Sequence, residues 1–349
     1  MRDATTSAAP AAKGASLALW LGIAFSLGFT ALIAWAGPRL DAVGLLPDQG
    51  AAWYYWKLPE PTVWTRLSVW SLYLLHQVGL WGLIAYAQKT RPAYTGGLHK
   101  VNVVALGVNA LFILLHFAQT HLFYDGLAQD VSIFSSQGSV IVLLVWVLLM
   151  ENSRRGLFFG KKAPIRQEII RFARTYHGYF FAWATVYTFW YHPMVSTPGH
   201  LIGFVYMFLL LLQGSLFFTR VHVNKYWTFA QEGLVGIHGT LVAVMQGAGL
   251  WPMFFFGFAG IFVITQMHGL GLKRWARLAI FAAFAGSVLW VYSVRGWTQL
   301  NEIIRIPLID YLAVFVLAGL FGGGLFGGGL WIARRVRGRR VPAEQGAAA

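Results

Sequence analysis

The sequence predicts an all-α, polytopic integral membrane protein: a helical bundle with about ten transmembrane helices and with both termini in the cytoplasm. Three observations predict this fold class. Hydrophobic residues fill 57% of the 349 positions and charged residues only 11%, whereas a soluble domain carries about 25% charged residues. Apolar stretches recur along the whole length, so they belong to one membrane domain. Most basic residues lie in the short segments between these stretches.

A membrane-spanning helix needs about 20 mostly apolar residues. The predicted spans are 17–36, 67–87, 102–123, 138–151, 175–194, 200–219, 231–250, 252–270, 278–295 and 309–333. The fourth is short, and we expect its helix to begin nearer Ser132. In the fifth, His192 precedes Pro193, which disfavours helical geometry at that position. A tight turn near Trp251 separates the seventh span from the eighth.

Basic residues predict the orientation of the bundle. Of the 27 Lys and Arg residues, 22 lie in the segments 1–16, 88–101, 152–174, 220–230, 271–277 and 334–349. Cytoplasmic loops carry such an excess, so we expect both termini inside, in the cell inner membrane. The expected parts are a cytoplasmic tail at 1–16, a single transmembrane domain at 17–333 and a basic cytoplasmic tail at 334–349. Because topology accounts for the net charge of +15, we expect no nucleic acid partner.

Two segments have both a structural and a functional interpretation. The aromatic run 53–56, in the predicted outer loop 37–66, is typical of a segment at the membrane interface, and its alternative is a mouth over a binding site. In the last span, Gly319, Gly323 and Gly327 recur every four residues, which allows close helix packing. Packing within the bundle is favoured over a dimer interface.

Several classes of function are excluded by what the sequence lacks. It has no cysteine, which excludes disulfides, thiolate metal sites, Cys-ligated iron–sulfur clusters and Cys nucleophiles. It has no GxxxxGK[ST] motif, which argues against ATP-driven work. No lysine lies deep in a predicted span, which argues against a retinal Schiff base. Any metal must therefore be held by His, carboxylate or carbonyl groups.

Histidines are the main candidates for function, because nine of the ten lie in or at the ends of predicted spans. Ionisable groups inside a bilayer are costly and usually functional, and His is the commonest metal ligand. The predicted topology sorts them into two tiers. The inner tier, on the cytoplasmic side, contains His177, His222, His238 and His268. The outer-to-middle tier contains His76, His116, His121, His192 and His200.

The spacing of His177 and His192 indicates two stacked sites. They lie fifteen residues apart on one predicted helix, which separates them by roughly 22 Å along the axis. One helix would then contribute a ligand to each of two haems, in a layout similar to that of membrane b-type cytochromes. The predicted ligands are His177 with His238 or His268 for the inner haem, and His116 with His192 or His200 for the outer haem.

Polar companions favour His116 over His121 as the outer ligand. Asn102, Asn109 and His116 recur at steps of seven residues, with Gln119 one turn further on, so this stripe should face the bundle interior. His121 is expected at the membrane interface.

Near Glu232 the chain has its densest polar patch, which supports two alternatives. Four inner histidines (His177, His222, His238 and His268) and Glu232 would suit non-haem iron, as in a lipid hydroxylase or desaturase. Known enzymes of that class have HxxHH-type clusters, and this chain has no adjacent His pair. A proton-coupled transporter with a His/Glu relay is the other alternative, but the inverted repeats and broken spans of carriers are not evident.

We therefore expect a membrane-bound oxidoreductase with haem b, or else non-haem iron, as its cofactor. Its expected partners are the lipid bilayer, a membrane quinone or lipid substrate, and a redox partner protein. Glu232 is expected to carry the coupled proton.

Overall fold

A computed structural model describes residues 14–50, 54, 56–247 and 249–322. Within these residues the chain is all helical, which confirms the predicted class, and it forms ten α-helices. They are α1 (Gly14–Ala36), α2 (Val63–Thr90), α3 (Lys100–Phe123), α4 (Ile133–Arg155), α5 (Gln167–Tyr191), α6 (Pro198–Ser215), α7 (Lys225–Met245), α8 (Trp251–Ile264), α9 (Arg274–Arg295) and α10 (Glu302–Gly319).

Eight of the described helical segments are long and apolar enough to cross a membrane, which indicates a multi-pass membrane protein. The helices outside this set are α5, which packs against α2, α4 and α6, and α7, which packs against α6 and α8. Other helices expose large apolar side chains such as Trp20, Leu75 and Trp290. Such a surface is expected of helices that face lipid. The count of ten spans and their orientation remain predictions.

Successive helices run in opposite directions between two ends of the bundle. The first, which we call the α5–α6 end, contains residues 192–197, which connect these two helices. Tyr54, in the loop after α1, lies there because its hydroxyl is 2.9 Å from Nδ1 of His192. The loop after α3 joins the same end, since the Leu58 N–H donates to the Gln129 side chain at 3.0 Å.

The opposite end, the α6–α7 end, contains residues 216–224. Thr95, in the loop after α2, donates its N–H to the Phe218 carbonyl there at 3.2 Å. Lys225 donates to the carbonyl of Leu270, between α8 and α9, at 3.1 Å. Three segments that are rich in basic residues therefore lie at one end: 88–101, 220–230 and 271–277.

Local signals set two helix boundaries as the sequence predicts. The fourth helix begins directly after Ser132, whose hydroxyl accepts a hydrogen bond from the first turn at 3.3 Å. The fifth helix ends at Tyr191, and His192 has an extended backbone with φ −104° and ψ 135°. The following Pro193 accounts for this conformation, because its ring disfavours helical geometry at the preceding residue.

Most helices begin earlier than predicted, and the fifth, seventh and tenth do so by six residues or more. The seventh begins at Lys225 rather than at 231, because the side chain of Asn224 caps it by accepting two backbone N–H bonds. The tenth begins at Glu302 rather than at 309. The first turns of these helices contain polar residues, so each helix begins before its apolar stretch. Of the other predicted features, Gly323, Gly327 and the C-terminal tail lie outside the described residues, as does the N-terminal tail up to residue 13.

The polar stripe of α3 faces the bundle interior, as predicted. Asn102, Asn109 and His116 are at most 5% exposed. Asn102 Nδ2 donates to the Ser215 carbonyl and Asn109 Nδ2 to the Ser215 hydroxyl, both at 2.8 Å. The ring of His116 lies 4.3 Å from that of Trp190. The bundle interior therefore holds polar groups that pair with one another between aromatic side chains.

Candidate functional site

His177 on α5 and His222 in the α6–α7 connection form a pair near the α6–α7 end. Their ring centroids lie 6.1 Å apart, with 37° between the ring planes. His177 donates its Nδ1–H to the Arg174 carbonyl at 2.6 Å, and His222 donates its own to the Gln213 carbonyl at 2.9 Å. No hydrogen bond from the described residues reaches Nε2 of either ring. Each ring is thus fixed through one nitrogen and keeps a lone pair on the other.

Gln213 holds His222 at two points. Besides accepting from Nδ1, it donates its side-chain amide to the His222 carbonyl at 3.0 Å, while its amide oxygen accepts from Trp227 Nε1. Burial lowers the pKa of the His222 imidazole to about 4, and the neighbouring His177 lowers this pKa further. The ring is therefore neutral at pH 7, which is the state that binds metal.

At the α5–α6 end, the Tyr54 hydroxyl joins two histidines. It lies 2.9 Å from Nδ1 of His192 and 2.8 Å from Nε2 of His200. Thr197 caps α6 and its hydroxyl lies 2.8 Å from Nδ1 of His200. Both nitrogens of His200 are thus engaged. Of the two interpretations of the aromatic run 53–56, the contacts of Tyr54 favour a mouth over a binding site.

His116 and His238 complete this group of histidines. His116 donates its Nε2–H to the His192 carbonyl at 2.9 Å. His238 hydrogen-bonds to the Gly199 backbone, and its Nε2 lies 3.0 Å from the position that a Cβ at Gly203 would take. Burial lowers the pKa of His192 well below its usual range, and the charges of His200, His238 and His116 lower this pKa further.

The structure thus corrects the depth predicted for His238. The prediction placed it seven residues into a span that began at 231, near the cytoplasmic side. The helix begins at Lys225, so His238 lies thirteen residues in, about 20 Å along the axis. It therefore belongs with His200 at the α5–α6 end and not with His177.

His76 lies behind this group and is fully buried. Trp190 Nε1 donates to its Nδ1 at 3.2 Å, and its Nε2–H donates to the Asn109 amide oxygen at 2.8 Å. Both nitrogens are used. The histidines at the α5–α6 end and His76 therefore form hydrogen-bonded networks that can hold or pass protons, and their nitrogens are largely engaged by protein partners.

The predicted inner set of four histidines and Glu232 is not brought together. Glu232 forms a buried ion pair, with Arg155 Nη1 2.8 Å from its Oε2. His268 Nδ1 instead accepts from Arg277 Nη1 at 3.1 Å, beside Phe159. A guanidinium at that nitrogen disfavours a bound cation. Among the described residues, no three His, Asp or Glu side chains are grouped so that they could hold a metal ion.

Around the Glu232 ion pair lies a water-sized cavity of about 10 Å³. Asp310 and Gln266 also line it. Asp310 is 1% exposed, and its Oδ2 has no hydrogen-bond partner among the described residues, nor have Nε and Nη2 of Arg155. Two carboxyls and one guanidinium therefore face a space that can hold a single water.

Five of these contributors were not predicted as site residues from the sequence. Arg155, Asp310 and Gln213 are polar residues in or at the end of apolar stretches, which is itself a signal of function. Thr197 precedes a proline, and this pair is typical of the start of a helix. Tyr54 had no local signal beyond its place in an aromatic run.

The carboxyl of Asp125, in the loop after α3, makes the stability of this end depend on pH. It is fully buried; Oδ1 accepts from the Gly126 N–H at 2.7 Å, and Oδ2 has no partner among the described residues. Burial raises its pKa from 3.8 to about 7. The folded carboxyl thus keeps a proton that the unfolded chain releases near pH 4. Its stabilising contribution is complete below about pH 4 and is lost as the pH rises to about 7.

We therefore expect the midpoint of thermal unfolding in detergent to fall between pH 4 and pH 7. Asp125→Asn cannot ionise, so it should flatten this fall and should be more stable than the wild type at pH 8, by at most about 4 kcal/mol. Asp41→Asn, at an exposed position, serves as the control and should keep the wild-type slope. Equal slopes in the wild type and Asp125→Asn would contradict the prediction.

Comparison of the chain with protein-family models, with curated protein sequences and with solved structures finds no match. The function of the chain is therefore inferred from the geometry of these groups.

Proposed function

We propose that this chain is an integral membrane redox protein in which His177 and His222 hold b-type haem, and that it passes electrons between a membrane quinone and a partner protein. The observation that carries the proposal is the 6.1 Å separation of the two rings. Two imidazole nitrogens that bind one metal ion from opposite sides, each at about 2 Å, put the ring centroids roughly 6 Å apart. His222 replaces His238 and His268 as the expected partner of His177.

The support of the two rings also suits metal binding. Metal-bound imidazoles usually donate their other N–H to a carbonyl or carboxylate, which fixes the tautomer and the ring orientation. His177 and His222 both donate Nδ1–H to backbone carbonyls. Haem between two imidazoles would supply one-electron chemistry. The chain's own contribution would be to hold both rings neutral and in place.

Basic residues at the α6–α7 end indicate which side of the membrane the pair faces. The positive-inside rule assigns this end to the cytoplasm, so the pair would lie near the cytoplasmic surface of the inner membrane. A partner protein could then reach it from that side. The histidines at the α5–α6 end, with Tyr54, would serve the transfer of protons rather than a second haem, because His200 has both nitrogens engaged.

A proton-coupled transporter is the second candidate function, and the cavity beside Glu232 favours it. Glu232, Arg155 and Asp310 meet inside the bundle around space for one water. Such groups often belong to proton pathways. Non-haem iron in a hydroxylase would need three or more His or carboxylate ligands, and the described residues do not assemble them.

The ultraviolet–visible spectrum of the purified, detergent-solubilised protein tests the proposal. We expect a Soret band that shifts on reduction with dithionite. A colourless protein that carries iron by elemental analysis would contradict haem and support the hydroxylase alternative. A protein with neither colour nor metal, expressed with haem supplied, would overturn the redox proposal and favour the transporter.

A further inference from the structure

A cavity of about 290 Å³ lies between α1, α3 and α6, and no step of the proposed function uses it. Its volume is at the lower end of the range for pockets that bind small molecules, roughly 300 Å³ and above. The walls are mostly apolar. Its lining includes Gly22 and Ser26 on α1, Asn109 and Ala110 on α3, and Ser215 on α6.

Two hydroxyls in this cavity can turn toward a ligand. Ser26 donates to the Gly22 carbonyl and Ser215 to the Leu211 carbonyl, each at 2.8 Å and four residues back in its own helix. These carbonyls are the regular acceptors of helical N–H bonds, so the serine bonds contribute little to the helices. Either hydroxyl can therefore rotate to donate to an acceptor in the cavity at low cost.

Asn109 connects the cavity to His76. Its side chain lines the cavity, donates to the Ser215 hydroxyl at 2.8 Å and accepts from His76 Nε2 at the same distance. A ligand that accepts a hydrogen bond from Ser215 would thus be linked through Asn109 to a buried imidazole. The acyl chain of a lipid has no atom that could accept a hydrogen bond from Ser215.

The cavity and the proposed haem ligands both contact the last turn of α6. Ser215, which lines it, is two residues from Gln213, whose carbonyl and amide hold His222. Both sites therefore depend on the last turn of α6, at the α6–α7 end. A redox-active molecule in the cavity would be linked to the imidazole pair through this turn of α6.

We infer that this cavity binds the ring of an isoprenoid quinone, with its carbonyl oxygens accepting from Ser215 and Ser26 and its chain leaving between α1 and α3 toward the lipid. Apolar walls with a few hydrogen-bonding groups suit such a ring. The role of the quinone in electron transfer rests on the proposed function, whereas its binding does not.

Binding of decylubiquinone and of a short-chain menaquinone to the purified full-length protein tests this inference, with quenching of tryptophan fluorescence as the readout. Ala110→Phe fills the cavity and should weaken binding at least tenfold. Leu111→Phe adds an aromatic ring at the neighbouring exposed position, and should bind as the wild type does. Ser215→Ala, a smaller change, should weaken binding several-fold and leave the haem content unchanged.

Wild-type affinity in both Ala110→Phe and Ser215→Ala would overturn the inference. So would a co-purified phospholipid, found by solvent extraction, that decylubiquinone fails to displace. If only the proposed function is wrong, the protein has no Soret band but still binds quinone, and Ala110→Phe weakens that binding. A normal Soret band with no quinone binding would contradict this inference alone.

Discussion

Replacing His222 by alanine is expected to lower the haem content of the purified protein more than tenfold, and His177→Ala should have the same effect. Each change would remove one of the two imidazoles that would hold the haem, and even the loss of a group that only orients a metal ligand typically costs 10-fold to 100-fold in affinity. Gln213→Leu keeps both imidazoles but removes the amide that donates to the His222 carbonyl. We expect it to weaken haem binding less than either alanine variant and to shift the reduction potential.

Two controls separate ligand loss from general damage to the fold. His121→Ala removes a partly buried histidine whose Nδ1–H donates to the Phe117 carbonyl in its own helix, and it should retain full haem content. Imidazole added to His222→Ala should restore part of the Soret band, since a free ring can enter the vacated position. If His177→Ala and His222→Ala both keep full haem content, neither residue binds haem and both have a structural role.

Sequence patterns were sufficient for the helices and for the interior stripe of α3. Apolar length predicted ten helical stretches, eight of which are long and apolar enough to cross a membrane, and Pro193 correctly indicated that the helix ends before His192. The predicted depth of His238 was wrong because a run of apolar residues indicates only the lipid-facing part of a helix. The helix itself begins earlier, at its polar first turn. In the seventh helix, Asn224 caps a polar turn that begins six residues before the predicted span.

Neighbour relations between helices could not be predicted from the sequence. Topology assigns a depth to each histidine, but it does not say which helices are adjacent or which way a side chain points. The predicted topology puts His177 and His222 in the same tier, yet their pairing depends on the packing of α5 against α6. The contact of Tyr54 with His192 joins positions 138 residues apart in the chain, and no local pattern encodes it.

The second large effect is expected from Arg155→Met, which should lower the free energy of unfolding by about 3–5 kcal/mol. Arg155 and Glu232 are paired with side chains only 3% and 9% exposed. Removing the guanidinium leaves an uncompensated carboxyl beside Asp310, whose Oδ2 already lacks a hydrogen-bond partner within the described part of the chain. Unfolding in mixed micelles with increasing SDS measures the change.

The exposed pair of Arg66 and Asp130 provides a matched control, because its atoms are also in contact, at 2.7 Å, but its side chains are 46% and 26% exposed. Arg66→Met should therefore cost less than about 1 kcal/mol. A cost for Arg155→Met no larger than that of Arg66→Met would show that the buried pair does not hold α4 to α7.

The double variant Arg155→Met/Glu232→Leu distinguishes a structural pair from a functional one. Replacing both charges by apolar groups removes the uncompensated carboxyl, so we expect it to recover most of the lost stability. If the ion pair only joins α4 to α7, the double variant should also keep wild-type rates of electron transfer. If Glu232 carries the coupled proton, those rates should fall even though the fold is restored. Stability and rate thus report separately on the two roles of one carboxyl.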